Sequence, residues 1–202
     1  MGDLRRIYNE LAMRERDWDP WRDPDHRDRL ETVVRWAVEV LPPGGRALDA
    51  GCGHGEVAAA IARRRADVEV VGVDIADVWV EEARRRHRDV PNVRFERADV
   101  RDLPYDDDEF HTVICAEVLE HLPGDGWVRA LRELDRVCRP EGRIIITIPD
   151  DRNPDGTYHV RRLTPDDVSE RAPRPIVREA EIRLENPRFP RVWVLMLGPG
   201  EG

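Results

Sequence analysis

Lysine and glutamine are absent from this 202-residue chain, and serine occurs once, at Ser169. All 33 basic residues are therefore arginine, set against 42 acidic residues for a formal charge of −9. Coding by a GC-rich genome accounts for this bias; arginine ion-pair networks in a heat-adapted protein are the alternative, since few thermolabile amides remain. The acidic balance counts against a nucleic-acid partner, although a local basic patch is compatible with it. Cysteine is scarce: Cys52, Cys115 and Cys138 are odd in number and lack CxxC or metal-type spacing. That fits a reduced, cytoplasmic chain better than a disulfide scaffold. No apolar run approaches the roughly 20 residues that span a bilayer. The start, MGDLRRIYNELAMRERDWDPW, has no apolar stretch of the secretory type. The expectation is a soluble protein with one domain and a sizeable core.

What is present alternates. Residues 5–16 read as a helix with Ile7, Leu11 and Tyr8 inward, broken over residues 17–24. Leu30, Val33, Val34, Ala37, Val38 and Leu41 form one stripe at helical spacing, stopped by Pro42, Pro43, Gly44 and Gly45. Strand-like runs follow at 47–50, 68–73, 93–97, 110–116 and 143–148. Helical patterns lie between them at 56–65, 77–88 and 125–139. Strands separated by helices predict an α/β fold with a parallel sheet and right-handed crossovers. A polar loop at 149–158 leads to a short helix opened by Thr164, Pro165 and Asp166. Two β-like runs, 176–184 and 192–197, are joined by the short NPRFPR loop, which suits an antiparallel pair.

The densest signal is Ala47-Leu48-Asp49-Ala50-Gly51-Cys52-Gly53-His54-Gly55-Glu56, between a strand and a helix. Open α/β sheets bind ligands at such a turn, where glycines admit close backbone approach and the helix start offers N–H groups. The spacing D-x-G-x-G-x-G differs from the G-x-G-x-x-G of dinucleotide enzymes. Asp49 would repel a pyrophosphate and suit a ligand carrying positive charge, an ammonium or a sulfonium. The second strand ends at Asp74, where a carboxylate can accept from both hydroxyls of a ribose. The third runs to Asp99, placed to accept from a purine amine. The fourth delivers Cys115-Ala116-Glu117-Val118-Leu119-Glu120-His121 to the same edge.

These segments together resemble the class I S-adenosylmethionine (AdoMet)-dependent methyltransferases, over roughly residues 47–149. DAGCGHGEVA resembles the family's first motif, GVD its ribose motif, ADVRDLPYDDDEFHTVICAEVLEHL its adenine and fourth-strand motifs, and LRELDRVCRPEGRIIITIP its next helix and fifth strand. The resemblance implies a Rossmann-like fold: a mostly parallel seven-stranded sheet with a C-terminal antiparallel hairpin and helices on both faces. Residues 1–202 would form one domain, with an N-terminal helical cap at 1–43 and an AdoMet-binding core at 44–202. It further implies that Gly51, Cys52 and Gly53 meet the methionine part of AdoMet, with Asp49 beneath orienting the loop and the amino group. Asp74 would hold the ribose, Ile75 pack on the adenine, Asp99 and the Val100 backbone read the adenine amine, and Ala116 lie near the methionine amine. The implied activity is methyl transfer to a small organic acceptor, a hydroxyl before nitrogen or carbon, by a monomer or homodimer.

His121, where the fourth strand opens to the cofactor, is the first candidate general base, and His159 the second. No metal is assigned on this reading. The alternative is that Glu117, Glu120, His121 and His159 bind a divalent cation with open positions. That pattern resembles methyltransferases of the 2′-hydroxyl at RNA 3′ ends, while EVLEH equally resembles enzymes acting on small molecules, quinone precursors among them. A third reading is a non-catalytic AdoMet-binding protein. Cys115 and Cys138 read as core, Asp106 to Asp108 as a solvated turn, and His54 as part of the glycine turn. Tyr8, Trp18 and Trp21 either cap the site or pack the first helix onto the body.

Overall fold

The computed structural model describes residues 4–14, 22–154 and 159–199. Its centre is a seven-stranded sheet of order β3–β2–β1–β4–β5–β7–β6. β1 (Arg46–Ala50), β2 (Glu69–Asp74), β3 (Val93–Arg97), β4 (Phe110–Ala116) and β5 (Cys138–Pro149) run parallel. β6 (Ile176–Arg183) and β7 (Arg191–Leu197) form the antiparallel pair expected from the short NPRFPR connection, with β7 against β5. The inner strands read as continuous apolar runs because both of their faces are covered.

Alternation along the strands sends neighbouring side chains to opposite faces. Leu48, Val71, Val113, Ile144 and Ile146 pack on one side with Ala130, Leu131 and Leu134 of α5 (Gly126–Val137). Ala47, Val70, Ile114 and Ile145 pack on the other with Val33, Val34 and Ala37 of α2 (Pro24–Val40) and Ala58 and Ile61 of α3 (Glu56–Arg64). α4 (Asp77–Arg86) covers that same face through Val80 and Ala83. α6 (Pro165–Arg171) begins at the Thr164 signal with a full capping box: Thr164 Oγ1 accepts from Asp167 N, and Asp167 Oδ2 accepts from Thr164 N at 2.8 Å. Cys115 and Cys138 are buried, and Asp106, Asp107 and Asp108 are exposed.

Three expectations change. α2 starts at Pro24, inside the stretch read as a break; a first-turn proline lacks only an N–H that the helix does not use, and the Asp23 carbonyl accepts from Arg27 N at 2.9 Å. β5 reaches back to Cys138, which pairs with Phe110 ahead of a register shift. The close approach there depends on Gly142, where a Cβ would fall 2.7 Å from the His111 carbonyl oxygen. In α1 (Leu4–Arg14), Leu4 and Tyr8 turn toward the body, and Ile7, expected inward, is 45% exposed.

Arginine knits loops to elements. Arg65 donates to the carbonyls of Val38, Leu41 and Pro42, and Arg174 to those of Arg139 and Cys138 while pairing with Asp135. Among the described residues no helix is long and apolar enough to cross a membrane. Ile145→Ala, in the sheet centre with no exposure, is expected to cost about 2–5 kcal/mol, read as a lowered urea midpoint with unchanged slope.

Candidate active site

The carboxyl ends of β1, β2, β3 and β4 open into a cavity of about 680 Å³. All eleven residues nominated from the sequence line it: Asp49, Gly51, Cys52, Gly53, Asp74, Ile75, Asp99, Val100, Ala116, His121 and His159. The glycine turn after β1 is bent by positive φ at Gly51 (84°), Gly53 (51°) and Gly55 (81°), a region that costs other residues roughly 1–2 kcal/mol. A Cβ at Gly51 would lie 2.3 Å from Val118, and one at Gly55 would lie 2.5 Å from Phe95, whereas one at Gly53 would meet nothing within 4 Å. Gly51 and Gly55 thus serve packing, and Gly53 leaves open space in the cavity.

Two buried carboxylates fix this turn. Asp49 Oδ2 accepts from Ala58 N at 3.1 Å, in the first turn of α3. Asp74 Oδ2 accepts from Gly53 N at 3.0 Å and its Oδ1 from Ala76 N at 2.9 Å. The Val73 carbonyl accepts from Gly51 N and Cys52 N, each at 2.8 Å. Burial pushes the Asp49 carboxyl up to about 7, against the Ala58 N–H, with Asp74 adding repulsion. Burial likewise pushes Asp74 up to about 6 despite its N–H donors. Two desolvated acids side by side favour a ligand that brings hydrogen-bond donors or positive charge. Asp99 is different: burial would raise its carboxyl, but the Arg101 guanidinium grips both oxygens at 2.6–3.2 Å and holds it below the ordinary value.

His54 and Trp79 also line the cavity, edge to face with centroids 6.0 Å apart. Burial pushes His54 down to about 4, which keeps it neutral. Tyr8 reaches the cavity from α1, 5.9 Å from the His121 ring. Trp18 and Trp21, the other proposed cap residues, lie outside the described residues.

The opposite side of the cavity holds the imidazoles. A single 3₁₀ turn, Leu119–His121, follows β4 and buries all three of its residues. The His121 and His159 rings meet at 4.8 Å, nearly perpendicular. His159 Nδ1 lies 2.9 Å from Asp151 Oδ2, a carboxylate with no exposure that Arg188 also engages at 3.1 Å. The four-residue set of the metal reading divides here. Glu120, His121 and His159 stand together, while Glu117, at φ 56°, turns aside. Its Oε1 accepts from Thr147 Oγ1 at 2.8 Å and pairs with the buried Arg29 at 3.2 Å.

Sequence reading missed Asp151, Arg29 and the β6–β7 connection. That connection does more than join two strands, because Leu184, Asn186 and Phe189 line the cavity. Phe189 lies 5.2 Å from the His159 ring, under the Arg188 guanidinium at 5.0 Å. The one available signal was two apolar residues, Leu184 and Phe189, in an otherwise polar turn.

A solved structure with the same architecture is magnesium protoporphyrin IX methyltransferase of Synechocystis PCC 6803 with bound SAH, at TM-score 0.78 and 21% identity over 98% of each chain. The sheet order and C-terminal hairpin found here belong to the fold that the two share. A family model described as a methyltransferase domain matches residues 47–142. The chain is 43% identical over 109 residues to 27-O-demethylrifamycin SV methyltransferase of Amycolatopsis mediterranei (strain S699), covering 52% of this chain and 39% of that protein. It is 32% identical over 125 residues to phthiotriol/phenolphthiotriol dimycocerosates methyltransferase 1 of Mycobacterium ulcerans (strain Agy99), covering 62% and 45%. The chain therefore spans less than half the length of these curated relatives.

The pH response of the cradle follows from Asp49. Its carboxyl titrates near 3.9 when unfolded and at about 7 in the fold. The fold favours the neutral form, so this contribution is complete below about pH 4 and fades as pH rises through about 7. Asp49→Asn, uncharged throughout, should gain in melting temperature relative to the native chain between pH 4 and pH 7. A difference that stays constant across that window would mean that Asp49 is ionised and satisfied in the fold.

Proposed function

We propose that this chain transfers the methyl group of AdoMet to a hydroxyl of a small organic acceptor. The observation that carries the reading is the convergence, in one cavity, of residues taken from the ends of four parallel strands and from the segment after β5. The cavity fits AdoMet on its own terms: open space at Gly53 beside two buried carboxylates that favour donors and positive charge. Gly51, Cys52 and Gly53 are assigned to the methionine part, with Ala116 near its amine. Asp74 retains lone pairs for the ribose hydroxyls beyond its two backbone donors. Ile75 is assigned to the adenine face, and Asp99 with the Val100 backbone to the adenine amine. When bound, AdoMet supplies a methyl group already activated on a sulfonium.

The chain's remaining task is placement. A nucleophile held in line gains much of its rate from position alone. His121 and His159 are assigned to the acceptor side, as the groups that activate the hydroxyl as its proton is lost. The Asp151 carboxylate holds Nδ1–H of His159 and leaves Nε2 as the lone-pair nitrogen. Leu184, Phe189 and Tyr8 give that side an aromatic and apolar wall, suited to an organic acceptor. The relative named for 27-O-demethylrifamycin SV supports a small-molecule acceptor with an unmethylated oxygen.

The test separates the two halves of the cavity. Asp74→Ala should abolish AdoMet binding measured by calorimetry, and unchanged affinity would overturn the cofactor assignment. His121→Ala and His159→Ala should keep AdoMet affinity and lower turnover by about 10²–10⁴-fold, read as S-adenosylhomocysteine released with a panel of hydroxylated acceptors. Full turnover in both variants would remove the imidazoles from the mechanism.

A further inference from the structure

We propose that Glu120, His121 and His159 form a binding site for one divalent transition-metal cation at the acceptor end of the cavity. The argument starts from Glu120. Its side chain is 1% exposed, and neither carboxylate oxygen makes a hydrogen bond among the described residues. A buried carboxylate without donors is expensive to keep. The neighbouring guanidinium of Arg29 is committed to Glu117 at 3.2 Å, so it does not supply the missing partner. What faces Glu120 instead is imidazole. His121 Nε2 lies 3.7 Å from Glu120 Oε1, and one ligand atom from each of Glu120, His121 and His159 lies within 4.8 Å of the others.

The surroundings have the form of a metal ligand's support. Imidazole ligands commonly donate their second N–H to a carboxylate, which fixes the ring and its tautomer. Asp151 occupies that position on His159 at 2.9 Å and is itself pinned by Arg188. The backbone ties the two halves together, since Val160 N donates to the Glu120 carbonyl at 3.0 Å. His121 and His159 line the cavity and Glu120 lies behind them, so a cation can enter from the cavity and keep its remaining positions on that side. Two imidazoles and one carboxylate with open positions favour iron(II), cobalt(II), manganese(II) or zinc(II) over calcium or magnesium.

The assignment concerns binding and needs no methyl acceptor, so its failure is separate from that of the proposed function. Engaged as ligands, the imidazoles would contribute to methyl transfer by holding the cation against the acceptor oxygen. The full chain, stripped with a chelator, is titrated with cobalt(II) and followed by visible absorption, then with zinc(II) and followed by imidazole ¹H–¹⁵N spectra. One equivalent should saturate the absorption, and zinc should move the His121 and His159 signals while leaving His87 and His111 in place. Glu120→Gln should remove the stoichiometric site, and Asp151→Asn should weaken it by about 10–100-fold. Absence of saturable binding, or zinc shifts confined to other histidines, would overturn the proposal in the native chain whether or not the variants fold.

Discussion

One side chain holds the glycine turn of this cavity in register. The Asp74 carboxylate bridges the backbone of Gly53, on the turn after β1, and that of Ala76, at the start of α4. The turn bends through three positive-φ glycines, which carry no side chain to fix it. The adjoining Val73 carbonyl takes the next two N–H groups of the same turn. Burial makes this brace costly, because the Asp74 and Asp49 acids are both desolvated. At a strand end, the donors of a ligand would offset what water no longer provides to two such acids.

The other half of the cavity is assembled from parts distant in sequence. Tyr8 comes from α1, Arg29 from α2, His121 from the turn after β4, His159 from the segment after β5, and Phe189 from the β6–β7 connection. Ion pairs join them: Arg29 to Glu117, and Arg188 to Asp151, which in turn holds His159. Each pair has one buried member, Arg29 in the first and Asp151 in the second, so hydrogen-bond geometry matters more than charge alone. The absence of lysine has a structural counterpart here. A guanidinium fork can satisfy two acceptors at once, as Arg188 does on Asp151 and Arg101 does on Asp99.

The parallel core, the C-terminal hairpin and the residues that line the cavity at the strand ends were legible because each rests on local pattern. Apolar runs marked β1 to β5, glycine spacing marked the turn, and acids at strand ends marked Asp49, Asp74 and Asp99. The opposite side of the cavity was legible in its histidines, in the Glu117 and Glu120 of EVLEH and in Tyr8, and no further. Asp151 looks like any polar loop residue until the fold sets it against His159, 2.9 Å away. Glu117 and Glu120 are equivalent in the EVLEH string, and only the positive φ of Glu117 and the reach of Arg29 separate them. The inward contribution of Leu184 and Phe189 depends on where the hairpin ends relative to the sheet, which no local pattern encodes. The start of α2 at Pro24 was missed for a simpler reason: proline opens a helix as readily as it stops one.

The hairpin turn between β6 and β7 has a consequence for how such a protein can change. It touches the cavity through Leu184, Asn186 and Phe189 but shares no hydrogen bond among those described with the glycine turn, Asp49 or Asp74. Mutations there remodel one wall and leave the cradle at the opposite strand ends intact. Loops tolerate such change better than the elements they connect. Divergence within a lineage can therefore proceed by turnover of a few hairpin positions, each intermediate retaining its grip on the shared ligand.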